Sequence, residues 1–191
     1  MTRRKTALRL ALIPALAALA ACSAPERYVV PQTPVEGARV PIRYGTVAIR
    51  EVSLPTYAAS EEIQSRGANG AVTSSGSVLW ADDPARAITQ DVARYLTEIT
   101  GAQVAAEPWP FFDRAQATVE IRVSDMLAEA DGSFRLTGQY FVAPDAGGRG
   151  RAGGFALAAP VAPDGGPAAI AAARGETVRD LSLLIARNGL R

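Results

Sequence analysis

The stretch Asp82–Gly101, DDPARAITQDVARYLTEITG, decides how the rest of this chain is read. Asp82-Asp83 followed by Pro84 is a helix start: an acidic cap, then proline at a first-turn position where its missing N–H costs nothing. Ile88, Val92, Tyr95/Leu96 and Ile99 then recur at helical spacing and form one apolar stripe. Asp91, Arg94 and Glu98 fall on the opposite side, and Gly101 supplies the stop. A helix with one apolar stripe needs a partner layer, and the flanking segments offer strands.

Downstream, Gln103 to Glu107 reads as a short strand, followed by Pro108-Trp109-Pro110-Phe111-Phe112. Ala117 to Asp125 has the clearest alternation in the chain, with Val119, Ile121 and Val123 on one face and Thr118, Glu120 and Arg122 on the other. Asp131-Gly132 marks a hairpin turn, and Phe134 to Val142 is its return strand. Gly147–Gly154 is a flexible loop before a last strand, Gly154 to Ala159. Without Lys, Ser or Thr, that loop does not make a phosphate loop; its Arg149 and Arg151 are candidates for anionic headgroups. Pro160 to Gly166 is a second loop, and Pro167 to Asn188 is the closing helix, with Ile170, Val178, Leu181, Leu184 and Ile185 on one side. Gly175 is expected to weaken that helix and kink it.

Upstream, Arg43 to Val52 is the first strand, ended by Leu54-Pro55-Thr56-Tyr57. Glu61 to Arg66 and Val72 to Trp80 are further extended pieces around the turn Gly67-Ala68-Asn69-Gly70. The resulting expectation is an α+β domain: a single antiparallel-rich sheet with two amphipathic helices packed on one face.

The N-terminus sets location. Arg3, Arg4, Lys5 and Arg9 precede an apolar run from Leu10 to Ala21, the pattern of a secretory signal. Twelve helical residues span ~18 Å, short of the ~30 Å hydrocarbon core, so a spanning helix is the weaker reading. Leu19-Ala20-Ala21-Cys22 resembles the bacterial lipobox, which implies a signal peptide over 1–21 and Cys22 acylated, palmitate included. By the same resemblance, Ser23 favours the outer membrane, since an Asp there commonly retains such proteins at the inner one. Several acyl chains anchor durably at ~0.8 kcal/mol per buried methylene. Residues 22–42, with four prolines and no periodicity, read as a lipidated tether; about eighteen residues in extended form would reach ~55 Å. The folded domain is then 43–191.

Composition narrows the chemistry. Without the signal, sixteen arginines face nineteen Asp and Glu, a formal charge of −3, which gives no basic footprint for nucleic acid. The chain has no His and one Cys. With Cys22 consumed by lipid, His-based acid–base catalysis, thiol nucleophiles, disulfides and most zinc sites drop out. A carboxylate pair, Asp113 with Asp125 or Glu120, is the remaining hydrolytic option, and no nucleophile motif accompanies it. The expectation is a non-enzyme with no cofactor and no metal.

The order of motifs carries more than any one of them. A strand ending in Leu54-Pro55-x-Tyr57, then Ile63-x-x-Arg66, then Trp80-Ala81 before a helix, two strands and an Ala-rich last helix resembles the PqiC-type lipoproteins. These are ABC-type transport auxiliary lipoproteins. The chain departs from that pattern at Asp82-Asp83-Pro84, where Glu-Pro is usual, and at Tyr140-Phe141, where a Trp is expected. The resemblance implies an outer-membrane lipoprotein on the periplasmic face that docks an MCE-domain transport protein and its ABC transporter complex in intermembrane lipid transport. Pro55, Tyr57, Arg66, Trp80 and Trp109 are the expected partner contacts, since aromatic and Arg side chains are enriched at hot spots. The plainer reading seals Trp80 into the core and pairs Arg66 with Asp82 or Glu62. A structural or regulatory envelope lipoprotein, such as an activator of wall synthesis, is the alternative function. Self-association is left open.

Overall fold

The computed structural model describes residues 24–191; the expected signal peptide and Cys22 lie outside the described residues. A mixed seven-stranded sheet carries the domain. Its centre is β7 (Ala117–Glu129), whose one edge pairs antiparallel with β8 (Ser133–Pro144), which in turn pairs with β9 (Arg151–Pro160). Along its other edge β7 takes two short strands in succession, β2 (Thr46–Ile49) and β3 (Ser65–Arg66), both parallel to it. Outside these lie β6 (Gln103–Ala106), parallel to β2, and β4 (Val72–Thr73), antiparallel to β3.

The expected antiparallel-rich character therefore holds for the β7–β9 half and for the short β3–β4 pair. Elsewhere a helix intervenes: α1 (Pro84–Thr100) stands between the first-half strands and β6. A crossover through a helix returns the chain in the same direction, giving a parallel pair. Nor is the sheet single. β1 (Glu26–Tyr28) and β5 (Val78–Trp80) form a separate two-stranded parallel ribbon.

Helix α1 starts and stops where its sequence says. The Asp83 carboxylate accepts from the Arg86 N–H at 2.8 Å, and Gly101 takes the left-handed conformation at φ 75° while its N–H bonds Thr97 O. Ile88, Val92, Leu96 and Ile99 are buried with Val119, Ile121 and Val123 of β7 in one core. Helix α2 (Gly166–Leu184), finished by a π-helical turn over Ile185–Gly189, joins the same core through Val178, Leu181 and Ile185. Helix α1 lies against β2 and β6, α2 against β8 and β9, and the helices touch one another.

Helix α2 departs from expectation in two ways. It is not amphipathic: Ala171, Ala173, Arg174, Gly175, Thr177 and Ser182 are buried as well as its apolar stripe. Gly175 marks no break in the helix. A side chain there would place its Cβ 2.8 Å from Pro31 O and 3.2 Å from Val30 Cγ1. The residue is glycine because the N-terminal segment crosses the helix at contact distance.

That crossing corrects the tether. From Glu26 onward the segment runs extended but against the domain. Its β1 pairs with β5, the Thr33 N–H donates to the Tyr95 hydroxyl at 2.9 Å, and the Val40 N–H donates to Ile99 O at 2.8 Å. Val40 is buried in the main core. Proline-rich sequence announces an extended chain, not a solvated one.

Candidate functional site

The side chains expected at a partner surface fall into three places. Tyr57 and Arg66 belong to an ionic cluster where β3 meets the end of β7. The Arg66 guanidinium donates to Asp125 Oδ1 at 3.0 Å and to Glu129 Oε1 at 2.9 Å. Arg135 reaches the same Glu129 oxygen at 2.8 Å. Thr137 Oγ1 donates to Asp125 Oδ2 at 3.2 Å, and the Tyr57 hydroxyl accepts from the Met126 N–H at 3.2 Å. Its hydrogen bond to Asp125 pushes the Arg66 pKa up, and burial pushes the Tyr57 phenol up. The cluster surrounds the β-bulge between Val123 and Asp125, where the ladder is interrupted. Arg66 thus pairs with Asp125 and Glu129, not with Asp82 or Glu62. Pro55 opens the preceding turn, its carbonyl accepting from Ala58 and Ala59.

Two of the three carboxylates considered for hydrolysis, Asp125 and Glu120, are occupied. Asp125 sits in this cluster, and Glu120 accepts from Arg50 and Arg122, chiefly Arg122, which holds its pKa below the usual carboxylate range.

Trp80 lies in the second place. It is 3% exposed and packs with Ile63 and Ala171 in a small core of its own. Above it opens a cleft of about 460 Å³, walled by Tyr28, Val29 and Val30 of the N-terminal segment and by Asp82, Arg86 and Asp91 at the start of α1. Ala81, Ala87 and Gln90 complete the lining together with Arg174 of α2. Its guanidinium carbon stands 4.5 Å from the Trp80 ring centre, a cation–π contact, and Nη2 donates to Pro84 O at 3.3 Å.

Arg174 is 1% exposed, yet among the described residues its Nε has no hydrogen-bond partner. Burial pushes its pKa down to about 10, against the pull of Asp91, Asp82 and Asp83. At neutral pH it is still a cation, held without a direct carboxylate partner among the described residues. Buried charge left in this state is costly to the fold. By contrast Asp82 and Arg86 on the rim are matched to each other: the Arg86 hydrogen bonds hold the Asp82 pKa below the usual range. Nothing in the sequence singles out Arg174, because an Arg on an Ala-rich helix ordinarily points to water. The one available hint is the adjoining Gly175.

The third place is the loop between β6 and β7. Trp109, expected as an exposed bulge, is half-buried by its own loop. It meets Phe111 edge-on at 4.9 Å, and its indole N–H donates to Asp113 O at 2.6 Å. The exposure passes to the neighbours: Phe111 is 45% exposed and Phe112 is fully exposed at 104%. The loop thus presents two phenyl rings to solvent.

Among the described residues no group of three or more His, Cys, Asp or Glu is placed to hold a metal ion, and no helix is long and apolar enough to cross a membrane.

The family described as ABC-type transport auxiliary lipoprotein component matches residues 28–186. No curated protein matches the sequence. Among solved structures, the crystal structure of an uncharacterized protein superposes with a TM-score of 0.67 at 16% identity, covering 85% of this chain and 98% of that one. Protein XCC0632 from Xanthomonas campestris, of the DUF330 family, does so with a TM-score of 0.67 at 17% identity, covering 84% and 92%. At these identities the likeness shows the fold. The family match begins at Tyr28, inside β1, which agrees with the N-terminal segment being part of the folded unit.

Proposed function

This chain belongs to the ABC-type transport auxiliary lipoprotein component family, and from that premise we propose that it is the non-catalytic docking component of an MCE-type intermembrane lipid transport system. In this reading residues 1–21 are removed, Cys22 is acylated, and the domain hangs from the periplasmic face of the outer membrane.

The observation that supports docking is the Trp109–Phe112 loop. Phe112 has no protein contact worth the name, and Phe111 is nearly half open. Leaving the Phe112 ring in water forgoes roughly 1.5–3 kcal/mol of burial and the half-open Phe111 ring a part of that, and an exposed apolar patch of this kind marks an interaction site. The loop is stiffened by Pro108, Pro110 and the Trp109–Asp113 bond, so little ordering entropy stands against association. We therefore assign the partner contact to Trp109 with Phe111 and Phe112. Trp80, Tyr57 and Arg66 serve chiefly to hold the domain, and Pro55 shapes its turn.

A photo-crosslinking side chain at Phe112 in cells tests this. It should capture an MCE-domain protein of the envelope. Capture of a cell-wall synthase instead would transfer the chain to the regulatory class. The anchor is tested separately: Cys22→Ser should abolish lipid labelling and release the protein from membranes, and membrane retention of that variant would refute acylation as the tether.

A further inference from the structure

We propose that the cleft over Trp80 is a headgroup site for phosphatidylethanolamine, taking the phosphate oxygens on Arg174 and the ammonium at Asp91. The cleft's volume, about 460 Å³, falls in the range of small-ligand sites. Its floor holds a buried guanidinium with an unpartnered Nε, a flat donor suited to phosphate oxygens. Its rim excludes a simple anion as the best fit. Arg86 and Asp82 neutralise one another. Arg94 holds Asp91 Oδ1 at 3.0 Å and is shared with Glu98, so one cation faces two carboxylates and that group keeps a net negative charge. Arg174 and Asp91 are then the charges a ligand in the cleft would meet. A bare phosphate gains from the first and is repelled by the second. A zwitterion satisfies both. The wall formed by Tyr28 and Val30, with the Trp80 ring below, offers apolar surface to the carbons that follow a lipid phosphate.

Chain geometry supports a membrane source, a point that rests on the acylation of Cys22. Three residues lie between Cys22 and Glu26, and the four Cα-to-Cα steps at ~3.5 Å each span at most about 14 Å. Since β1 is docked on β5 from Glu26, the ~55 Å reach of a free tether collapses to that short link. The cleft wall begins at Tyr28, two residues further on, so the cleft is held beside the lipid surface.

Trp80 reports on its own cleft. In a Trp109→Phe background of the full-length protein, Trp80 fluorescence would be titrated with short-chain phosphatidylethanolamine, short-chain phosphatidylglycerol, free phosphoethanolamine and inorganic phosphate. The first should saturate at millimolar concentration or below and at least tenfold tighter than the others. Arg174→Met should weaken it at least tenfold while melting no lower than the parent, because a buried unpaired charge is removed. Should that variant fail to fold, Asp91→Asn decides: it should erase the preference for phosphatidylethanolamine over phosphatidylglycerol. Absence of saturation, equal binding of inorganic phosphate or free phosphoethanolamine, or unchanged binding in the variant that folds would each overturn the assignment. Soluble ligands and no transport partner are used, so an empty cleft, a missing anchor and a missing MCE contact give three different results.

Discussion

The two tryptophans of this chain stand in similar company and end in opposite situations. Trp80 follows a short strand and precedes Ala81 and a helix start. Trp109 follows a short strand and sits between prolines. Trp80 is buried under Arg174 of α2 and the N-terminal segment, groups roughly ninety and fifty residues away in sequence. Trp109 takes its contacts with Phe111 and Asp113 from its own loop. A side chain's exposure is set by what passes over it, and for Trp80 that covering comes from the far ends of the chain. Large aromatics near strand ends therefore do not form one surface. One is a core element under a polar cleft, and the other stiffens an apolar tip.

Trp80→Ala is the strongest way to break this contrast. Losing a buried aromatic costs roughly 3–5 kcal/mol, a large share of the stability of an ordinary domain. Thermal melting should fall by ten degrees or so. A near-normal melt would show that the small core and the cleft above it do not hold as described.

The next effect probes the covering itself. Gly175→Val sets side-chain carbon against Pro31 O, where even a Cβ would sit at 2.8 Å. Overpacking of this kind costs about 1–3 kcal/mol. The expected result is lower stability together with faster proteolysis between Tyr28 and Pro34. Unaltered proteolysis with an unaltered melt would remove the close crossing on which the short-link argument depends.

How much of this was legible in the sequence follows the same division. Helix α1 was legible end to end, because its cap, stripe and glycine stop are all local. The β7–β8 hairpin was legible from alternation and Asp131-Gly132. Parallel pairing was not, since β2 and β3 are too short to show which strand they join, and the direction depends on a crossover. The N-terminal segment's docking was invisible for another reason: its prolines fix an extended backbone equally well in water or on a helix. Arg174 was hidden because its burial comes from α1 and β1, not from its neighbours on α2. Trp109 was marked, but Phe112 carries the exposure.

At the loop, the expected changes are in binding and not in folding. Phe112→Ala should move stability by no more than about 0.5 kcal/mol. Trp109→Ala should cost about 1 kcal/mol, through its bond to Asp113 O and its contact with Phe111. Either should weaken capture of an MCE-type partner by roughly 2 kcal/mol, about thirtyfold. Partner affinity measured with purified proteins decides, and full affinity in both variants would move the contact elsewhere on the domain.

The smallest effect sharpens the contrast on the cleft side, at the rim pair of Asp82 and Arg86. Arg86 holds the Asp82 pKa below the ordinary carboxylate value, so the folded protein binds that proton less readily than the unfolded chain. The stabilisation from this group is then present at neutral pH and is lost as pH falls below the ordinary value toward the folded one. Its size is small, because the Asp82 side chain is 42% exposed and solvent screens the pair. Replacing Asp82 with Asn should lower the melting temperature by only about 1–2 °C at neutral pH. The difference from the parent should close as pH drops through the carboxylate range. A large gap, or one that persists in acid, would make the rim a principal support of the fold. The small, pH-limited gap expected here leaves the cleft's polar groups free to be spent on a ligand, as the aromatic tip's rings are free to be spent on a partner.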